Sequence, residues 1–200
     1  PCVTMLTEGD IAYRVSHSEA VAAVTTGDNV HKFSDQTNVR CRVSVGGGAG
    51  WLDFEDAMGG ASDTYDAVSM AGEDPAILYY TSGSTGEPKG AMHAARGLYA
   101  WRGSARYWLG LGADDLMWCT ADTGWSKAGT SILFGPWSQG AEVLSYDGSF
   151  EPAVRLEMLS RYRVTVFCAA ATEFRRLIAE DVGSHDLSSL KLAVSAGEAL

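Results

Sequence analysis

Ala76-Ile77-Leu78-Tyr79-Tyr80 runs directly into Thr81-Ser82-Gly83-Ser84-Thr85-Gly86-Glu87-Pro88-Lys89-Gly90. A short apolar run closed by a Gly/Ser/Thr cluster predicts a buried strand followed by a loop. Each residue type in that loop has a physical use. Gly83, Gly86 and Gly90 permit positive φ and a close backbone approach. Thr81, Ser82, Ser84 and Thr85 supply hydroxyl donors, and Lys89 supplies a point charge suited to phosphate oxygens. Together they describe a polyphosphate cradle. It is not a Walker A loop, which needs lysine directly after glycine and a helix starting there, because Glu87-Pro88 intervenes and Gly90 follows. A solvated Ser/Gly linker is the competing reading, but such linkers are not set between an apolar strand and a regular run of further elements.

Those elements lie downstream. A helix is predicted over Arg96 to Leu109, then strands over Leu116 to Thr120, Ala141 to Tyr146, Val164 to Ala169 and Leu190 to Ser195. Helical patterns fall between them at Thr130 to Trp137, Pro152 to Tyr162 and Thr172 to Asp181. This alternation predicts an α/β layered fold with mainly parallel sheets. Upstream, Thr7-x-x-Asp10 marks the start of a helix over Leu6 to Ser16, strands are predicted at Ala20 to Thr25 and Val39 to Val45, and Gly46-Gly47-Gly48 breaks the chain. Trp51 to Met58 reads as a helix and Gly59 to Glu73 as a connecting segment, so residues 1–75 and 76–200 form the two parts of the organisation.

The formal charge of -10 is spread without any Lys/Arg patch that could neutralise consecutive phosphates, which argues against nucleic acid as a partner. Lysine is confined to Lys32, Lys89, Lys127 and Lys191, so its presence inside a glycine-rich loop carries weight. Cys2, Cys41, Cys119 and Cys168 form no C-x-x-C pair and are expected to be buried free thiols, which disfavours zinc and points to a reducing cytoplasm. No stretch approaches the ~20 apolar residues needed to span a bilayer. Opening at Pro1 and ending just past Gly197-Glu198-Ala199, the chain reads as an internal fragment.

The loop Thr81 to Gly90 resembles the phosphate-binding signature of the adenylate-forming superfamily of acyl-CoA synthetases, adenylation domains and luciferases. Trp118-Cys119-Thr120-Ala121-Asp122-Thr123-Gly124-Trp125, Phe134-Gly135-Pro136-Trp137 and Gly197-Glu198-Ala199 are similar to segments of its acetyl-CoA and medium-chain acyl-CoA synthetases. Ala170-Ala171-Thr172-Glu173-Phe174-Arg175 resembles a further family segment, with Ala171 where proline is usual. The resemblance implies an ATP-dependent acid:CoA ligase in which a short- or medium-chain carboxylate attacks the α-phosphate of Mg2+-ATP, giving acyl-AMP and pyrophosphate, and coenzyme A then displaces AMP. It also implies that residues 1–200 are part of the N-terminal AMP-binding domain, with residues 1–75 closing a first subdomain, and that a C-terminal domain lies beyond Leu200, so that the fragment alone is inactive.

By the same resemblance, Thr81, Ser82, Gly83, Ser84, Thr85, Gly86, Glu87, Pro88 and Lys89 hold ATP, with Lys89 catalytic, and Gly197, Glu198 and Ala199 contact its adenine and ribose. Trp125, Ser126 and Ala196 line the acyl pocket, and no resident metal is implied, since Mg2+ arrives with ATP. The residues leave alternatives open. Trp125 fits a core tryptophan as well as a pocket wall, Glu198 fits a helix N-terminus, and Lys127 is as well placed for the surface as for the pocket. Arg175 and Arg176 suit ion pairs. His93 lies three residues past the motif and is set aside as packed or exposed. A carrier-protein adenylation domain and a non-catalytic nucleotide-binding module are the competing functions.

Overall fold

The computed structural model describes residues 1–81 and 86–199; Ser82, Gly83, Ser84 and Thr85 of the predicted cradle lie outside the described residues. The chain divides into two compact units, one of residues 4–69 and one of residues 1–3 with 70–200.

The first unit opens with helix α1, Glu8–His17, where the Thr7 hydroxyl accepts from the Asp10 N–H and the Asp10 carboxylate accepts from the Thr7 N–H. That reciprocal cap satisfies two backbone donors the helix cannot, as Thr7-x-x-Asp10 predicts. Strands β1 (Ala22–Thr26), β2 (Cys41–Val45) and β3 (Leu52–Asp53) pair in parallel in that order. The Trp51 to Met58 helix is shorter than expected: Asp53 ends β3 and its carboxylate accepts from the Glu55 and Asp56 N–H groups, so helix α2 runs only over Phe54–Gly59. A tight 3-10 turn over Gly27–Phe33 joins β1 to β2, and Phe33 packs with Ile11, Val15 and Val39.

The second unit holds the site. Its first two strands correct the sequence reading. β4 (Pro75–Thr81) is mostly exposed or half-buried, with only Tyr79 fully buried, and it pairs antiparallel with a strand the sequence did not suggest, β5 (Lys89–Ala94). Gly90 therefore sits opposite Tyr80 in a ladder, and Lys89 opposite Thr81, so the loop closes a hairpin before reaching its expected end. Gly86 keeps the left-handed conformation at φ 90° that its type favours. Helix α3 (Ala95–Gly103) follows and widens into a π-helical turn over Ser104–Trp108, after which Gly110 takes a left-handed conformation at φ 63°.

Strands β6 (Leu116–Cys119), β7 (Glu142–Leu144), β8 (Val166–Ala169) and β9 (Leu192–Ser195) form a parallel sheet ordered β7-β6-β8-β9. Between them run α4 (Lys127–Ser131) and α5 (Phe134–Trp137), then α6 (Pro152–Arg161) and α7 (Ala171–Leu177). The predicted helix over Thr130 to Trp137 is thus two short helices, separated where Leu133 leaves helical geometry ahead of Pro136. Alternate residues of the sheet feed opposite cores. Met117, Cys119, Val166 and Cys168 pack with Leu109, Ala128 and Ile132 on one face, while Trp118, Phe167 and Ala169 pack with Leu156, Leu159 and Leu177 on the other. Both faces are covered, so the strands read as unbroken apolar runs, the usual signature of a parallel sheet. The thiols divide: Cys119 and Cys168 are buried as expected, but Cys2 and Cys41 are exposed.

Candidate functional site

Three parallel strands end side by side, and the segments leaving them build one cavity. Thr120 to Lys127 leaves β6, Ala170 leaves β8, and Ala196, Gly197 and Glu198 leave β9. The carboxyl edge of an open α/β sheet is where such folds bind ligands, because the loops there diverge and leave a crevice. The cavity measures about 770 Å3, the size of a small-molecule site, and its far wall is His93 from β5 and Trp101 from α3.

Several residues singled out in the sequence meet here. Trp125, Ser126, Ala196, Gly197 and Glu198 all line the cavity, and so does Lys127. The Asp122 carboxylate accepts the Gly124 N–H at 2.7 Å and its carbonyl accepts the Trp125 N–H at 3.0 Å, so Asp122 shapes the turn that presents the indole. Trp125 is 65% exposed, which removes the core-tryptophan alternative. The Lys127 ammonium lies 4.4 Å from the centre of the Trp108 ring. Ala199 does not line the cavity, and neither do Thr81, Gly86, Glu87, Pro88 and Lys89, which stand at the loop end of the β4–β5 hairpin.

Glu198 both lines the cavity and reaches a helix end. Its carboxylate accepts from the Thr172 N–H at 2.8 Å and the Thr172 hydroxyl at 2.5 Å, at the N-terminus of α7. Arg175 lies 3.8 Å away and donates to the Ala199 carbonyl at 2.6 Å. The hydrogen bonds from Thr172, with Arg175 beside them, hold the Glu198 carboxyl below its ordinary range. Arg176 forms no ion pair among the described residues and instead rests 4.9 Å from the Phe150 ring centre.

Sequence reading missed several lining residues. His93 is neither stray nor exposed: it stands edge-on to Tyr79 at 5.7 Å and 5.7 Å from Trp101, which in turn packs 5.8 Å from Phe134. Its place depends on the β4–β5 register, a non-local fact. Glu173 lines the opposite side and accepts from the Thr120 hydroxyl at 2.7 Å. Its second oxygen lies 4.0 Å from the Arg155 guanidinium, which is buried over Trp118 and Tyr146 and lacks a hydrogen-bond partner at Nε and at one terminal nitrogen among the described residues. Cys119 and Cys168, expected as buried free thiols, both line the cavity as well. The hydrogen bond from Cys119, together with Lys127 and Ser131, lowers the Cys168 pKa against the upward push of burial, while Cys119 is raised by the same bond and by burial.

Among the described residues no group of three or more His, Cys, Asp or Glu side chains is placed to hold a metal. No described helix is long and apolar enough to cross a membrane.

Comparison with known proteins adds three kinds of relative. The family described as AMP-binding enzyme matches residues 1–200. Mouse mitochondrial acyl-coenzyme A synthetase ACSM3 is 39% identical over 208 residues, covering 99% of this chain and 36% of that protein. The chain therefore spans about a third of the length of the curated relatives it matches. Among solved structures, an acyl-CoA synthetase from Brucella canis superposes with a TM-score of 0.91 at 29% identity, covering 100% of this chain and 38% of the other. The anthranilate CoA ligase AuaEII, solved with anthranoyl-AMP, superposes with a TM-score of 0.86 at 31% identity, covering 98% and 40%.

Proposed function

Because the chain belongs to the AMP-binding enzyme family, we propose that the full-length protein is an ATP-dependent acid:CoA ligase acting on a short- or medium-chain carboxylic acid. The observation that carries this is the convergence of Trp125, Ser126 and Ala196, named for the acid, with Gly197 and Glu198, named for the nucleotide, on one cavity at the carboxyl edge of a parallel sheet. The acyl-adenylate bound by the anthranilate CoA ligase, a relative of the same fold, supports the first half-reaction.

In this reading residues 1–200 are part of the N-terminal AMP-binding domain and a C-terminal domain completes the thioester-forming step, so residues 1–200 alone make no acyl-CoA. Thr81, Ser82, Gly83, Ser84, Thr85, Gly86, Glu87, Pro88 and Lys89 hold the β- and γ-phosphates. The antiparallel pairing of Thr81 with Lys89 supports this by fixing both ends of the loop on one rung of the hairpin. Charge grows on the departing pyrophosphate in the first step, and a lysine held there lowers the barrier by electrostatic stabilisation. Gly197, Glu198 and Ala199 border the nucleoside, with the Glu198 carboxylate fixed by Thr172 and Arg175. Mg2+ enters on the phosphates of ATP and keeps several of its waters. Trp125, Ser126 and Ala196 face the acid, with Trp101 and His93 across from them. Coenzyme A is the acceptor. A reducing compartment suits the four free thiols.

The test is acid-dependent release of pyrophosphate from ATP by the full-length protein, followed by CoA-dependent release of AMP, across acetate, butyrate, hexanoate and octanoate. Pyrophosphate release with transfer to a carrier thiol but not to CoA replaces the ligase reading with the carrier-protein one. Nucleotide binding without pyrophosphate release under any acid refutes both.

A further inference from the structure

Cys119 ends β6, Cys168 lies on β8, and the two are Cα partners in the parallel ladder. Laterally paired residues of a sheet project to the same face, and neighbouring strands run about 4.8 Å apart, inside the Cα separation a disulfide can bridge. Both side chains sit in the same core cluster and both line the cavity. They are 6% and 2% exposed, so only a species small enough to enter the cavity meets them, whereas Cys2 and Cys41 lie open to any reagent.

We propose that Cys119 and Cys168 form an oxidisable dithiol in the floor of the cavity, a modification site for small hydroperoxides. The Cys168 thiolate attacks the distal peroxide oxygen, the O–O bond breaks, and the alkoxide or hydroxide leaves with a proton, giving the sulfenic acid at Cys168. The Cys119 thiol then attacks that sulfur and water departs, leaving an intramolecular disulfide. Two electrons pass from the dithiol to the peroxide in all. The division of labour follows from the surroundings. The Cys119 thiol donates toward Cys168 and so favours negative charge there, and Lys127, which also lines the cavity, and the buried Ser131 hydroxyl add to it. A thiolate with a resolving thiol beside it is the arrangement in which sulfenic acid condenses to a disulfide instead of progressing to irreversible acids.

Protection of the dithiol by bound carboxylic acid rests on the proposed acid pocket, but the thiol chemistry does not, and the experiment separates them. The full-length protein carrying Cys2→Ser and Cys41→Ser is treated with hydrogen peroxide and mapped by peptide mass spectrometry without reductant. A peptide containing Cys119 linked to one containing Cys168 is expected, and it is cleaved by dithiothreitol. In Cys119→Ser, Cys168 is expected to be trapped by dimedone as its sulfenic acid; in Cys168→Ser, Cys119 is expected to remain a thiol. Absence of the linked peptide from the protein with Cys119 and Cys168 intact overturns the proposal, since its two substitutions fall on exposed thiols. Dimedone labelling of Cys119 in Cys168→Ser at the rate seen for Cys168 in Cys119→Ser overturns the assignment of roles. Saturating carboxylic acid is expected to slow linkage; linkage that forms unhindered in its presence leaves the dithiol standing and refutes the acid pocket.

Discussion

Gly129 lies buried on α4, and a Cβ built there falls 2.3 Å from Cζ3 and 2.5 Å from Cη2 of Trp101. Alanine at this position is therefore a wedge against an indole that forms the cavity wall. To reach the 3.4 Å at which ordinary van der Waals contact begins, the ring must give by about 1.1 Å. Phe134 holds it on one side, 5.8 Å between centroids, and neither Phe134 nor Gly129 lines the cavity, so the yielding direction is into the cavity. Overpacking of this kind costs about 1–3 kcal/mol of stability. The catalytic consequence is selective. Each methylene that loses its apolar contact forfeits about 0.8 kcal/mol, roughly a fourfold fall in kcat/KM per CH2 for the acids that reach Trp101 and little change for those that do not. The assay is kcat/KM of Gly129→Ala from acetate to octanoate, with thermal denaturation alongside. Gly129→Ala combined with Trp101→Phe should recover the long acids, since the smaller ring removes the collision, and the coupling of the two changes should exceed their separate effects. A uniform fall over all acids, with no recovery in the double variant, refutes the claim that Gly129 sets the reach of the pocket.

The opposite wall gives the opposite result: Trp125→Ala should raise kcat/KM for longer acids by roughly fourfold per added methylene, with little loss of stability because the indole is exposed, and an unchanged chain-length profile would count against it. Lys89→Ala should slow acyl-adenylate formation by about 10^2 to 10^3 while sparing CoA transfer, because pyrophosphate is present only in the first step; single-turnover assays in which both steps slow equally contradict a phosphate role. Asp115 is buried, and although burial pushes its carboxyl up, hydrogen bonds from Lys191, Thr165 and the Gly112 N–H outweigh that and leave it below its ordinary value. A lowered folded-state pKa means the stabilisation is complete above about pH 4 and is lost as pH falls through the folded-state value, so Asp115→Asn should cost about 1–2 kcal/mol at pH 7 and progressively less as the solution is acidified below about pH 4, read from denaturant midpoints across pH.

The parallel sheet was legible because its central strands β6 and β8 are buried on both faces and so appear as continuous apolar runs, needing no knowledge of partners. The cap at Thr7 was legible for the same local reason. β5 was not, since Lys89-Gly90-Ala91-Met92-His93-Ala94 has little strand propensity and takes its form from its ladder with β4. With β5 hidden, His93 had no visible route to the cavity. Asp53 shows the other kind of miss: an N-cap signal was present but was passed over in favour of the apolar residues around it. The neighbourhood of Cys119 and Cys168, 49 residues apart in sequence, depended on strand order, which alternation alone does not specify.

The hairpin also fixes a length. Lys89 and His93 stand four residues apart on β5, hence on one face, about 13 Å from end to end at the usual rise of a strand. One end of that span carries the lysine proposed for the leaving phosphates and the other lines the cavity proposed for the acid. A strand neither stretches nor bends easily along its axis, so in the proposed reaction β5 acts as a ruler laid between the phosphates and the acid. Inserting or deleting a single residue within it would turn His93 to the opposite face, and the gauge would be lost even with every side chain at both ends still present.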